Sequence, residues 1–235
     1  MIEAVSSDKR NLTFLNDENV EKAKLWHKRE DLITVGVVTY SQNFLLKTLI
    51  NCFKAQTSEN WKMIILHDGP VNDDLYSSLT NNQYLSDERI LFITTDFRHD
   101  DYGHSLRNII IEKYLNSEWL LLTNGDNYYT PNFIENMENE IDRDKDISMV
   151  AFPCILQKPH ESNPTLRINF SSHPGLRVGS IDIGQFIVRK GFAKEFKLNP
   201  TAIADGEFCV QCANLIKEKG KKIYRTYSID FVHNN

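Results

Sequence analysis

LITVGVVTYSQNFLLKTLINCFKAQTSENWKMIILHDG, residues 32–69, is the stretch on which the fold class turns. Leu32 to Tyr40 form an unbroken β-rich apolar run, the pattern of a strand buried on both faces. In the next segment Phe44, Leu45, Thr48, Leu49, Cys52 and Phe53 recur at helical spacing. Trp61 to Gly69 is a second strand. A helix between two such strands implies a right-handed crossover and parallel pairing.

The same alternation continues downstream. A polar helix from about Asp73 to Asn82 leads to a third strand, RILFITTD (89–96), and then to a helix, SLRNIIIEKYLN (105–116). The fourth strand, WLLLTNGD (119–126), runs into a helix announced by Pro131 at its first turn, and ISMVAFP (147–153) supplies a fifth. The expected fold is therefore α/β, a Rossmann-like three-layer sandwich with a mostly parallel central sheet. Ligands in such sheets bind at the carboxyl ends of the strands. Here those ends read Thr39-Tyr40, His67-Asp68-Gly69, Asp96 and Asn124-Gly125-Asp126-Asn127.

After Pro153 the chain reads as irregular. QKPHESNPTLRINFSSHPGLRVGS (157–180) is rich in Pro, Ser, Asn and His, and loops this long are often functional. A strand and turn, IDIGQFIVRKGF (181–192), a helix from about Asp205 to Lys219, a strand KIYRTYSI (222–229) and a tail DFVHNN follow. Residues 1–31 read as an N-terminal helical extension, with DENVEKAKLWHKRE (17–30) as the helix and Asp17 as its N-cap. Its apolar side packs on the domain or forms an oligomer or membrane-surface contact.

The 235 residues, 41% hydrophobic and 25% charged, suit one ordinary globular domain. A net charge of −5 argues against a broad nucleic-acid footprint, so no nucleic-acid partner is expected. No run approaches the roughly 20 apolar residues of a membrane span, and the polar opening lacks a secretory core. The expectation is a cytoplasmic chain. Cys52, Cys154, Cys209 and Cys212 are too scattered for a disulfide framework. Cys209 and Cys212 fall one turn apart on the inner face of a helix, with a zinc or redox pair as the alternative.

Neither G-x-G-x-x-G nor G-x-x-x-x-G-K-[ST] follows the first strand, which sets aside the two commonest phosphate cradles. The order Thr39-Tyr40, Gln56-Thr57, Asp68-Gly69 instead resembles family 2 glycosyltransferases of the GT-A fold, and the resemblance extends from Ile33 to His233. It implies a single GT-A domain over residues 32–235, with a donor half at 32–153 and an acceptor half at 154–235. Asp68 and Tyr40 then read a nucleobase: a carboxylate at a strand end can accept from the base edge while an aromatic ring stacks on its face. The alternative for Asp68-Gly69-Pro70 is a plain turn.

Gly103-His104-Ser105-Leu106-Arg107-Asn108 is similar to the family's Gly, spacer, Arg-Asn segment. There a helix N-terminus and an arginine meet the donor diphosphate, against the alternative of an exposed helix arginine. WLLLTNGDNYYTPNF (119–133) matches the apolar strand and acidic metal motif. Asp126 becomes a ligand for Mn²⁺ or Mg²⁺, with Asn124 and Gly125 on the donor side. Asn124 and Asn127 stand where relatives often carry acids, and the four residues would also make a good turn. Asp205, in Ala204-Asp205-Gly206-Glu207, aligns with the family's catalytic base, Glu207 being the fallback and two helix-start acids the alternative. His233 matches a histidine that completes some metal sites, the alternative being simple exposure.

The resemblance implies inverting, metal-dependent transfer of a sugar from a nucleotide diphosphate donor, UDP-linked in preference, to the hydroxyl of a glycan or other acceptor. Two rivals stay open: a degenerate GT-A domain that binds without turnover, motivated by Asn124 and Asn127, and a nucleotidyltransferase.

Overall fold

The central strand β2 (Ile33–Thr39) is buried at every position, as its unbroken apolar run requires. It pairs in parallel with β3 (Trp61–His67) on one side and β5 (Trp119–Asn124) on the other. Beyond β3 lie β4 (Ile90–Thr94) and the short β1 (Thr13–Phe14), both parallel. Beyond β5 come β10 (Phe186–Arg189), β7 (Ile147–Ala151) and β11 (Lys222–Arg225). The order is β1-β4-β3-β2-β5-β10-β7-β11, with β10 antiparallel to both of its neighbours. These elements come from a computed structural model, which describes residues 13–14, 33–41, 43–81, 84–160, 163–170 and 175–234. The helix expected over 17–30 lies outside the described residues.

Alternation along the strands feeds two cores. Val35, Val37, Met63, Ile65 and Leu121 face α1 (Asn43–Lys54), α2 (Asp73–Asn81) and α4 (Phe133–Asp142). Val38, Ile64, Leu66, Leu120 and Leu122 face α3 (His104–Ile109), and the same core holds Ala193 of the short α5 (Lys190–Ala193) and α6 (Ala204–Glu218). The expected three-layer α/β sandwich is thus the observed one. The third helix continues past Ile109 as a π turn over Ile110–Tyr114, which packs so close to β2 that a Cβ on Gly36 would lie 2.8 Å from Ile110.

Four details differ from the sequence reading. The segment after Pro153 is a hairpin, β8 (Cys154–His160) and β9 (Asn163–Phe170), and not an irregular loop. The tail supplies β12 (Phe231–Asn234), which pairs with β8 and with β6 (Tyr128–Tyr129) in a second sheet ordered β6-β12-β8-β9. ISMVAFP does give a strand, β7, but β10 separates it from β5 because Ile187 and Val188 fill the cores on opposite faces at that place. Finally, α4 starts at Phe133, so Pro131 precedes the helix; its carbonyl accepts from the Thr57 N–H at 2.9 Å. Cys209 and Cys212 are buried core thiols of α6, and burial pushes Cys209 up to about 12, which keeps it protonated and unreactive.

Candidate active site

The carboxyl ends of β2, β3 and β5 open into one cleft of about 270 Å³. Its lining includes Thr39, Tyr40, Asp68, Gly103, Asn124 and Asp126, together with Arg98, Asp100 and Tyr102 from the segment before α3. Parallel pairing puts these ends side by side: Thr39 is in register with His67, and Val38 with Asn124. Five residues expected on the donor side, Thr39, Tyr40, Asp68, Gly103 and Asn124, are therefore brought together with Asp126, the expected metal ligand. Away from the cleft lining, Gln56 joins two helices of the fold. Its carbonyl accepts from the Ile134 N–H at 2.9 Å and its amide donates to Thr130 O at 2.7 Å, which locks the start of α4 against the end of α1.

Asp68 is buried, and both of its oxygens hold the segment between β4 and α3. Oδ1 accepts from the His99 N–H at 2.8 Å, and Oδ2 lies 3.4 Å from the Asp100 N–H. Thr95 accepts from the Gly69 N–H at 2.7 Å and donates to Phe97 O at 2.8 Å. The segment is thus pinned at the end of β3, and it is tightly turned, with positive φ at Asp100, Tyr102 and Gly103. Across it, the Arg98 guanidinium stacks on the ring of half-exposed Tyr40, 3.8 Å from the centroid, and pairs with Asp100 at 2.8 Å.

Arg107 lies under the cleft and does not line it. It is only 3% exposed; its guanidinium donates to Tyr102 O at 2.8 Å and to Asn124 Oδ1 at 2.5 Å. A third contact, to His104 Nδ1 at 2.9 Å, settles the histidine's tautomer: Nδ1 accepts from the cation, so Nε2 carries the proton donated to Thr201 O at 3.0 Å. Burial, and then the charge of Arg107, hold His104 below its ordinary value. Asn124 therefore suits its surroundings, since its amide oxygen is the acceptor for Arg107. The chain Asn124–Arg107–His104–Thr201 ties the floor of the cleft to the segment that leads into α6.

At the start of α6, Asp205 has a buried Oδ1 with no hydrogen-bond partner among the described residues. An unshared carboxylate oxygen at such a position asks for a ligand. Gly206 explains how the turn is built: a Cβ there would lie 2.8 Å from Val178 Cα, so only glycine lets the segment near Val178 pack on the helix start. Glu207 sits in the same first turn.

On the opposite side, Asn127 Nδ2 donates to Thr123 Oγ1 at 2.9 Å, which turns its carbonyl towards His233 Nδ1 at 3.1 Å. Asp182 Oδ2 lies 3.7 Å from the same nitrogen, while its Oδ1 accepts from the Gly184 N–H at 2.8 Å. Nδ1 is thus the donor nitrogen, and in the neutral ring Nε2 keeps its lone pair. Burial raises Asp182 above the usual carboxylate range; His233 opposes the rise and Asp205 adds to it.

Asp182 and Arg98 belong to no motif in the sequence, and His104, expected to be a solvated or acceptor-loop residue, is instead buried. Asp182 had a signal: an acid inside the apolar run Ile-Asp-Ile-Gly-Gln-Phe-Ile requires a buried partner. Among the described residues no three Cys, His, Asp or Glu side chains form a ready-made metal cage. Asp126 lines the cleft and His233 is oriented through Nδ1; carboxylate oxygen and imidazole nitrogen are both donor types that a divalent ion accepts.

The strand-end cleft lies where an open, mostly parallel α/β sheet binds its ligands. Residues 34–210 match the profile of Glycosyl transferase family 2, and the chain belongs to that family. No curated protein sequence gives a significant match. Among solved structures, residues 1–349 of S. aureus TarS superpose with a TM-score of 0.67 at 13% identity, covering 86% of this chain and 60% of that one. The same protein in complex with UDP-GlcNAc gives a TM-score of 0.64 at 13% identity, with 87% and 58% covered. The mannosyltransferase PcManGT from Pyrobaculum calidifontis, in complex with GDP-Man and Mn²⁺, gives 0.57 at 14% identity, with 92% and 63% covered. The chain thus spans about 60% of the length of TarS 1–349. No helix among the described residues is long and apolar enough to cross a membrane.

Proposed function

We propose that the protein transfers a sugar from a nucleotide diphosphate donor, UDP-linked in preference, to an acceptor hydroxyl with inversion. The observation that carries this reading is the convergence of three strand ends on one cleft with Asp126 in its wall, tied through His104 and Thr201 to the helix that begins with Asp205. UDP and GDP donors in the structural relatives support the donor class.

In this reading Tyr40 and Thr39 border the nucleoside, and Asp68 acts by holding the cleft wall from β4 to α3. Arg107 holds Asn124 in place from below. Asp205 takes the proton of the acceptor hydroxyl as the acceptor oxygen bonds to the anomeric carbon and the bond from that carbon to the phosphate oxygen breaks. Glu207 is the second candidate for this base. Asp126 and His233 would hold Mn²⁺ or Mg²⁺, which supplies positive charge to the departing diphosphate when bound. Asn127 and Asp182 orient His233.

The test is calorimetry with UDP, GDP, CDP and ADP in the presence of Mn²⁺, followed by donor hydrolysis with the matching nucleotide sugars. Binding of one diphosphate with slow release of its sugar is expected. Failure to bind any of the four removes the proposal. Binding without hydrolysis or transfer under any acceptor tried would favour the degenerate binder that Asn124 and Asn127 suggest. The family match goes against a nucleotidyltransferase.

A further inference from the structure

Charge in the cleft is unevenly placed. Its described lining carries three acids, Asp68, Asp100 and Asp126, and one cation, Arg98. A nucleoside diphosphate brings further negative charge into this space, so it needs cationic partners that can reach it. Arg107, the basic residue the sequence points to, is buried below the cleft with its terminal nitrogens engaged. Arg98 is half-exposed and lines the cleft, its guanidinium carbon 3.8 Å from the centre of the Tyr40 ring.

We propose that Arg98 is the residue that meets the donor diphosphate, a role resting on the nucleotide-sugar reading above. The stacking on Tyr40 and the ion pair with Asp100 are a waiting position. An exposed ion pair with a carboxylate is weak and exchangeable, whereas a guanidinium can grip phosphate oxygens through two parallel N–H donors. The backbone under Arg98 is already fixed, because Asp68 holds His99 and Asp100 while Thr95 holds Gly69 and Phe97. Only the side chain has to move. Asp68 thus serves the donor indirectly, by fixing the loop that carries the cation. Departure of the guanidinium from Tyr40 also frees that ring face for the nucleobase, so phosphate and base binding reinforce each other.

The experiment compares UDP and GDP with uridine and guanosine. Diphosphate affinity is measured by calorimetry and nucleoside affinity by NMR titration at millimolar concentration, in wild type, Arg98→Ala and Arg98→Lys. The side chain is exposed, so both variants should fold, and thermal unfolding checks this. Arg98→Ala should weaken the bound diphosphate about tenfold or more and leave its nucleoside unchanged or bound more tightly, since the ring face of Tyr40 is then already free. Arg98→Lys, which keeps the charge and loses the fork, should fall between the two. Equal losses for diphosphate and nucleoside would overturn the proposal in favour of base stacking. No loss for either would overturn it outright while leaving the glycosyltransferase reading intact. A wild-type protein that binds no nucleoside diphosphate removes both.

Discussion

Gly103→Ala is the most direct probe of how the cleft is built. Gly103 has left-handed backbone, with φ 75°, and a Cβ added there would lie 2.4 Å from Val38 Cγ1 in the central strand. Two costs add. Left-handed backbone costs a non-glycine residue about 1–2 kcal/mol. Forcing a methyl into a packed contact costs about 1–3 kcal/mol more. The sum, about 2–5 kcal/mol, corresponds to a fall in Tm of roughly 4–20 °C for a chain of this size. Gly220 has the same backbone hand, φ 67°, but open space around its Cβ position, and Gly191 also has open space with no positive φ. Gly220→Ala should therefore lose only about 1–2 kcal/mol, and Gly191→Ala should be neutral or slightly stabilising. Urea unfolding of the three variants, compared at unchanged m, separates backbone from packing. Equal losses at positions 103 and 220 would refute the close approach of the α3 start to Val38. UDP affinity should fall with Gly103→Ala alone, because the displaced turn carries the Tyr102 carbonyl that holds Arg107.

Asp205→Asn is expected to lower transfer by roughly 10²–10⁴ fold with donor affinity nearly intact; if Glu207→Gln does this instead, the base is Glu207. Asp126→Asn should abolish any gain in UDP affinity from Mn²⁺, and equal affinities for wild type and variant, with and without the ion, would take Asp126 out of the metal site. His104 is buried and held below its ordinary value, so its contribution to stability is present above the unfolded value near 6.5 and is lost as pH falls through the lower folded value. His104→Gln can keep both hydrogen bonds without titrating, and should flatten part of the acid limb of the stability profile. An unchanged acid limb would assign that limb to other groups, His67 first, which burial also lowers.

The first half of the fold was legible because its information is local. The runs of β2, β3, β4 and β5 are mostly apolar and buried almost throughout, and the helix periodicities between them match the observed packing faces. Burial of this kind leaves its pattern in consecutive residues. The second half depends on pairing between distant segments. Nothing within DFVHNN says that Phe231 will pair with Cys154 and Tyr129, and Pro159 and Pro164 in the hairpin's sequence read as loop. At the site, sequence order located the strand-end residues but not their orientation. Arg107 and His104 are separated by one helical turn, and only the packing shows that the guanidinium turns inward to Asn124 and His104. Arg98 was passed over because an arginine between Phe97 and His99 has no neighbours at any regular spacing.

The position of β10 also bears on how the chain acquires its shape during synthesis. Strands β2 to β5 can assemble as soon as they leave the ribosome, since each pairs with a strand already made. The free side of β5, however, is filled by Phe186–Arg189, made after β7 and the whole hairpin. Until then Leu120 and Leu121 sit on an unpaired sheet border, open to pairing with other chains. β7 in turn cannot join the sheet without β10, which lies between it and β5. A late antiparallel segment thus works as the keystone of an otherwise sequentially assembled sheet. A nascent chain stalled before Phe186 would carry its cleft-side strands in place and an adhesive border beside them.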